Sequence, residues 1–162
     1  MKLILARHAE ADSAQSDADR RLTPRGRIDA ERMGVVLRGS GWQFREILCS
    51  PLLRTVETAE ILRTRLEGSP EPAPVSFLAP GLNVSEAMDH LQSTQVRGAA
   101  ALWVCHMPDI AAFAATLLGI PASSLYVTPG TTLALNLSFP LQPGKAILVW
   151  AMQPEYLAAL AT

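Results

Sequence analysis

One α/β domain with a mainly parallel sheet is predicted by three observations. Short apolar runs, "KLILA", "EILC" and "AALWVC", read as buried strands. Segments with helical apolar spacing follow each of them. The composition is that of an ordinary globular chain: of 162 residues, 49% are hydrophobic and 18% charged, which suits a single domain over residues 1–162 and excludes a disordered chain. Strands that alternate with helices at this spacing form right-handed crossovers and therefore pair in parallel.

The first strand, "KLILA", ends abruptly in Arg7-His8. From Pro24 to Arg38, "PRGRIDAERMGVVLR" sets Ile28, Met33, Val36 and Leu37 on one helical face, with Thr23 as N-cap and Pro24 at the first position. "EILC" is the second strand. "SPLLRTVETAEILRTRL" is a helix with Ser50 as N-cap, Pro51 at its first position and an apolar stripe of Leu52, Val56, Ala59, Leu62 and Leu66. "GSPEPAP" is a loop, "VSFL" an edge strand and "SEAMDHLQSTQV" a helix capped by Ser85. "AALWVC" is the third buried strand, and "PDIAAFAATLLG" a helix closed by Gly119. "TTLALNLSF" and "KAILVWAM" are two strands joined through "PLQPG" in a hairpin, and "PEYLAAL" is a short final helix.

Charge narrows the function. A formal net charge of -1 gives no electrostatic footprint for nucleic acid or for an anionic membrane surface. The longest mainly apolar stretch, "IAAFAATLLGI", is too short for a bilayer, which takes about 20 residues. No signal peptide is read at the start, so a cytoplasmic protein is expected. Cys49 and Cys105 each end an apolar stretch and are expected to be buried free thiols. Neither a GxGxxG nor a Walker A loop occurs, which disfavours a nucleotide-binding module.

Three strand ends carry similar chemistry. The first ends in Arg7-His8, the second opens a helix with Arg54 near its start, and the third ends in His106-Met107-Pro108. Parallel pairing gathers all three at one edge of the sheet, where ligands of open α/β sheets bind. Arg54 opposes the dipole at a helix N-terminus, and it lies off the apolar stripe. Either it is a solvated arginine paired with Glu57 or Glu60, or an anion sits there. Two arginines and two histidines beside helix N-termini suit a dianionic phosphoryl group. One neutral imidazole is then a nucleophile towards phosphorus, and a protonated one stabilises the oxygens. The loop "SDADRRLTPRG" carries Arg20, Arg21 and Arg25, as a solvated loop or as one that delivers an arginine to the same pocket. His90 reads as structural. A metal site from His8, Glu10 and His106 is disfavoured, because the neighbouring arginines repel a cation.

"LARHAEA", "SPLLRTVETA" and "VCHMP" resemble, in order and spacing, the histidine phosphatase superfamily, whose fold is phosphoglycerate-mutase-like. The small size, Ala9-Glu10-Ala11 and "RRLTPRG" look most like its SixA-type branch, the protein phosphohistidine phosphatases. The resemblance covers nearly the whole chain. It implies a single-domain three-layer αβα sandwich with a mostly parallel central sheet. It also implies His8 as the nucleophile, with Arg7, Arg54 and His106 as catalytic residues around the phosphoryl group. Arg20 stands at the arginine of the branch's Arg-Pro-Leu-Thr segment, but Arg21 replaces the proline, so which arginine points inward stays open. No metal and no cofactor are implied.

A second departure concerns the general acid. Where related sequences often read Pro-Glu-Leu, this chain reads Pro80-Gly81-Leu82. Glu86, Asp89 and Glu10 remain as candidates, or none serves. An alkoxide leaving group needs an acid, whereas an imidazole nitrogen is protonated near neutral pH. The expected substrate is therefore phosphohistidine of a partner protein, a phosphotransfer domain or phosphocarrier, acted on by a monomer in signal transduction. A small-molecule phosphomonoesterase or mutase, and a phosphate-binding module without turnover, are the alternatives.

Overall fold

Along β1 (Lys2–Arg7), Leu3 and Leu5 face one core while Ile4 and Ala6 face the other. β4 (Ala100–Cys105) repeats the pattern, with Ala101, Trp103 and Cys105 on the first side and Ala100, Leu102 and Val104 on the second. Strands buried on both faces read as continuous apolar runs, which is what the sequence shows.

The computed structural model describes residues 1–94 and 99–160, the last three as helix backbone only. Around β1 and β4 it sets α1 (Pro24–Gly39), β2 (Phe44–Cys49), α2 (Leu53–Thr64), β3 (Ala73–Pro74) and α3 (Val84–Thr94). After β4 come α4 (Asp109–Leu118), β5 (Thr132–Asn136), β6 (Ile147–Met152) and α5 (Pro154–Leu160). The strand order is β3-β2-β4-β1-β5-β6. β2 pairs in parallel with β3 and β4, and β4 with β1; β5 is antiparallel to β1, and β6 to β5. Met33 and Leu37 of α1, Ala59 and Leu62 of α2 and Leu157 of α5 cover one face. Ala87 and Leu91 of α3 and Ile110, Phe113 and Leu117 of α4 cover the other. This is the mixed α/β fold in three layers that the sequence predicts.

Several expected boundaries move. "VSFL" is not a strand: Ser76–Leu78 form a 3-10 turn that buries Leu78, and the edge strand is the shorter Ala73–Pro74. Ser50 does not cap α2, which starts at Leu53 after an uncapped Leu52; buried Ser50 closes the turn before it, accepting from the Leu52 N–H. Asn83, not Ser85, caps α3, its Oδ1 accepting from the Glu86 N–H. Gln95 and Val96, the expected end of that helix, lie outside the described residues. On α1, Thr23 Oγ1 accepts from the Gly26 N–H as expected, but Ile28 is 51% exposed and the buried face runs through Ala30, Met33 and Leu37. α4 ends at Gly119 in the left-handed conformation. The β5–β6 hairpin is joined by 137–146, longer than "PLQPG", because Gly144 and Ala146 bond the end of α4 first.

Cys49 and Cys105 are buried free thiols, and burial pushes both up to about 12. They act as small apolar side chains. None of the described helices is long and apolar enough to cross a membrane.

Candidate active site

Register decides what meets at the sheet edge. Arg7 lies opposite Cys105, and Cys49 opposite Val104, so β1, β2 and β4 end side by side. The chain leaves each strand in a bonded state: His8 N–H donates to Cys105 O at 3.1 Å, Ser50 N–H to Val104 O at 3.0 Å and Gly130 N–H to His8 O at 3.0 Å. Ala9 N–H donates to Thr58 Oγ1 at 3.1 Å, and Thr58 in turn bonds Arg54 O. These bonds tie the His8 backbone to the first turns of α2. The His106 carbonyl accepts the Ile110 N–H, which fixes His106 just before α4.

The side chains converge. The rings of His8 and His106 lie 5.3 Å apart between centroids, tilted by 58°. Arg54 Nε is 3.3 Å from His8 Nε2 and donates to it. Arg7 Nη1 donates to Val127 O at 2.9 Å, and its Nε has no hydrogen-bond partner among the described residues. A cleft of about 380 Å³ is lined by Arg7, His8, Asp17, Arg20, Arg54 and His106, with Glu10, Ala11, Pro80, Met107 and Pro129 completing its wall. Residues 7, 8, 54 and 106 thus meet as their strand-end positions predict.

Hydrogen bonding assigns the His8 tautomer. Its Nδ1 lies 2.8 Å from the Ala9 carbonyl, an acceptor only, so Nδ1 carries the proton and Nε2 carries the lone pair. Burial, with the charges of Arg54, Arg7 and Arg20, pushes His8 down to about 4 against the opposing pull of the Ala9 bond. Burial lowers His106 to about 3, with His8, Arg54 and Arg7 adding to it and Asp17 working the other way. Both imidazoles are neutral at pH 7. Neither ring nitrogen of His106 has a partner among the described residues. A buried polar group without a partner is costly, so a pair of them beside a cleft is suited to a ligand's oxygens.

Arg54 pairs with neither Glu57 nor Glu60. It is 4% exposed, and its Nη1 and Nη2 donate to the carbonyl and carboxylate of Asp17 at 2.7 and 2.9 Å. Arg20 lines the cleft, held by its Nε on Asp12 O at 2.8 Å and its Nη1 on Asp17 Oδ1 at 3.2 Å. Arg21 turns away to Glu57, and Arg25 to Asp29. Of the expected acids, Glu10 lines the cleft with Oε1 accepting from Thr23 Oγ1 at 2.8 Å, whereas Glu86 and Asp89 on α3 do not line it. His90 is structural: its Nε2 lies 2.6 Å from Glu46 Oε2, and Glu46 Oε1 accepts from Trp103 Nε1 at 2.7 Å.

Two residues escape a reading of the sequence. Asp17 enters the cleft from the turn Asp17–Asp19, and hydrogen bonds from Arg54 and then Arg20 hold its carboxyl below the usual range. Glu57, buried on α2, accepts from the Leu22 N–H at 2.8 Å, Arg27 at 2.7 Å and Arg21 at 3.2 Å. It clamps the arginine loop to the helix that carries Arg54. The only local hint was Ser16 before Asp17, a turn cap.

Residues 3–79 match the model of the histidine phosphatase superfamily (branch 1). An uncharacterized protein of Picosynechococcus sp. is 35% identical over 119 residues, 70% of this chain and 71% of that protein. The mitochondrial serine/threonine-protein phosphatase PGAM5 of Rattus norvegicus is 37% identical over 67 residues, and that match spans only 23% of its length. Among solved structures, the protein histidine phosphatase SixA complexed with tungstate superposes with a TM-score of 0.87 at 26% identity, covering 97% of this chain and 99% of that one. The alpha-ribazole phosphatase from Shigella flexneri shares the fold, with a TM-score of 0.74 at 20% identity over 95% of this chain and 97% of that one. The family match over residues 3–79 and the superposition on SixA across nearly the whole chain agree: the chain belongs to the histidine phosphatase superfamily and is of the SixA type.

Proposed function

We propose that this phosphatase takes its phosphoryl group from phosphohistidine of a partner protein. One observation carries the reading: His8 Nε2, unprotonated by virtue of the Nδ1 bond to Ala9 O, sits in a cleft walled by Arg7, Arg20, Arg54 and His106. The Nε2 lone pair attacks phosphorus and the P–N bond of the substrate breaks. Its electron pair stays on the leaving nitrogen, and because the other ring nitrogen of the substrate is protonated near neutral pH the group departs as neutral imidazole. A water molecule then attacks phosphohistidine 8, yielding inorganic phosphate and free His8. Arg7, Arg54 and Arg20 neutralise the phosphoryl oxygens, and His106, whose ring nitrogens bond no protein group among the described residues, donates its N–H to them. Three guanidinium groups repel a cation, so the reading needs no metal ion.

The leaving group distinguishes the substrates. Asp17 is ionised by its arginines and is a poor acid at pH 7. Glu86 and Asp89 are absent from the cleft wall, and Gly81 offers no carboxyl. An imidazole leaves without a dedicated acid; an alkoxide does not. The carboxylate of Glu10 in the cleft wall favours one other reading, a phosphomonoesterase or mutase acting on small molecules.

His8→Ala is expected to abolish turnover together with an acid-labile, alkali-stable phosphoenzyme, read by chasing labelled phosphate through the denatured protein. Turnover that survives in this variant would remove His8 as nucleophile. Rates on a phosphohistidine protein are expected to exceed those on sugar and aryl phosphates. A clear preference for alkyl phosphomonoesters would select the Glu10 reading instead.

A further inference from the structure

A single carboxylate bridges two arginines of the cleft. Asp17 Oδ2 accepts from Arg54 Nη2 at 2.9 Å, and Asp17 Oδ1 accepts from Arg20 Nη1 at 3.2 Å. The Asp17 backbone carbonyl takes Arg54 Nη1 at 2.7 Å. One oxygen to each guanidinium is the arrangement an oxyanion adopts between two arginines. The two sides of the contact differ in anchorage. The Arg54 side chain is 5% exposed and is held by the core, whereas that of Asp17 is 61% exposed on a three-residue turn. The arginine is therefore the fixed member and the carboxylate the one able to leave.

A phosphoryl group that reaches His8 Nε2 meets the guanidinium whose Nε donates to that same nitrogen at 3.3 Å. Two anions at contact distance on one side chain repel each other, more strongly in a half-buried cleft than in water. We propose that Asp17 is an internal competitor for the oxyanion site, setting the affinity for substrate and product by holding Arg54 and Arg20 until a phosphoryl group displaces it. The proposal rests on the reading of the cleft as a phosphoryl site. Its consequence for turnover is on the product side. As inorganic phosphate leaves, the same carboxylate returns to the same donors, so the two arginines are paired at both ends of the cycle and the product is not retained.

The test is the inhibition of turnover by orthophosphate, with direct calorimetric titration of orthophosphate alongside. Asp17→Asn keeps the shape and removes the charge. It is expected to tighten orthophosphate inhibition and to lower KM by a common factor, roughly three- to tenfold, the size of one exposed-to-buried ion pair. Asp19→Asn removes a charge from the same turn and is expected to change neither by more than about twofold, a screened surface effect. Orthophosphate affinity that is unchanged or weaker in Asp17→Asn would overturn the proposal. Equal tightening by Asp19→Asn would overturn it too, as would a fall in kcat with affinity unchanged, which would make Asp17 a proton-transfer group. If no variant binds orthophosphate and Arg54→Ala alters nothing, the phosphoryl reading of the cleft itself falls, and this proposal falls with it.

Discussion

His106 contributes no hydrogen bond to the protein through its ring, among the described residues, although it is 3% exposed. Burying a ring that bonds no protein group is a cost to the fold, and such a ring lining a cleft is the pattern of a residue placed for function. Truncating it removes one charge-stabilising group. His106→Ala is therefore expected to lower kcat/KM by roughly 10²- to 10³-fold, the usual effect of losing one donor to a developing oxyanion. The urea midpoint should move little, because no bond is broken. A large loss of stability at unchanged kcat/KM would make His106 a core residue. The same scale shows what a sequence can reveal. Arg7, His8, Arg54 and His106 each sit at a strand end or helix start, positions fixed by local periodicity, so their meeting was legible. Asp17 pairs with Arg54 across 37 positions, and Glu57 with Leu22 across 35. No local pattern encodes such a pairing, and both were missed.

The N-terminus of α1 is pressed against the segment that follows His8. A Cβ on Gly26 would collide with the Glu10 carbonyl oxygen, a backbone atom that also receives the Thr23 N–H at 3.0 Å. The Thr23 cap and Pro24 announced this helix in the sequence; why position 26 must lack a side chain did not show, because the obstacle is another segment's backbone. Overpacking of this kind typically costs about 1–3 kcal/mol. Gly39, in the same helix, meets nothing within 4 Å. Gly39→Ala is thus expected to stabilise the protein by about 0.4–1 kcal/mol through the unfolded chain, and Gly26→Ala to destabilise it by more than that. Urea unfolding of the two variants gives both signs. Because the displaced backbone is that of Glu10, two residues from the nucleophile, Gly26→Ala should also lower kcat; equal stability in both variants would refute the packing. Edge elements were the least legible of all. A two-residue β3 has no periodicity to read, and "VSFL", which reads as a strand, is a 3-10 turn at Ser76–Leu78 that buries Leu78 alone.

Protonation links the cleft to the stability of the whole molecule. In the unfolded chain each imidazole binds a proton below about pH 6.5. In the folded protein His8 does so only near 4 and His106 only near 3, both chiefly because of burial. Between those limits the unfolded state holds more protons, so the free energy of unfolding must rise with pH there. The contribution is complete above about pH 6.5 and is lost as the solution is acidified towards 4 and below, each group adding a slope of at most about 1.4 kcal/mol per pH unit. The lowered carboxyl of Asp17 works in the same direction, but its window opens only below the ordinary Asp value of 3.8. Urea midpoints measured at steps from pH 7 to pH 4.5, compared between the wild type and a variant lacking both rings, therefore isolate the histidines. The wild-type protein should weaken steadily over that range, and the double variant His8→Ala, His106→Ala should lose most of the dependence while its stability at pH 7 changes far less. If the double variant keeps the full slope, the imidazoles are not held neutral by the fold. His8 would then be partly protonated at mildly acidic pH, and the lone pair on which the phosphoryl chemistry depends would have no structural protection.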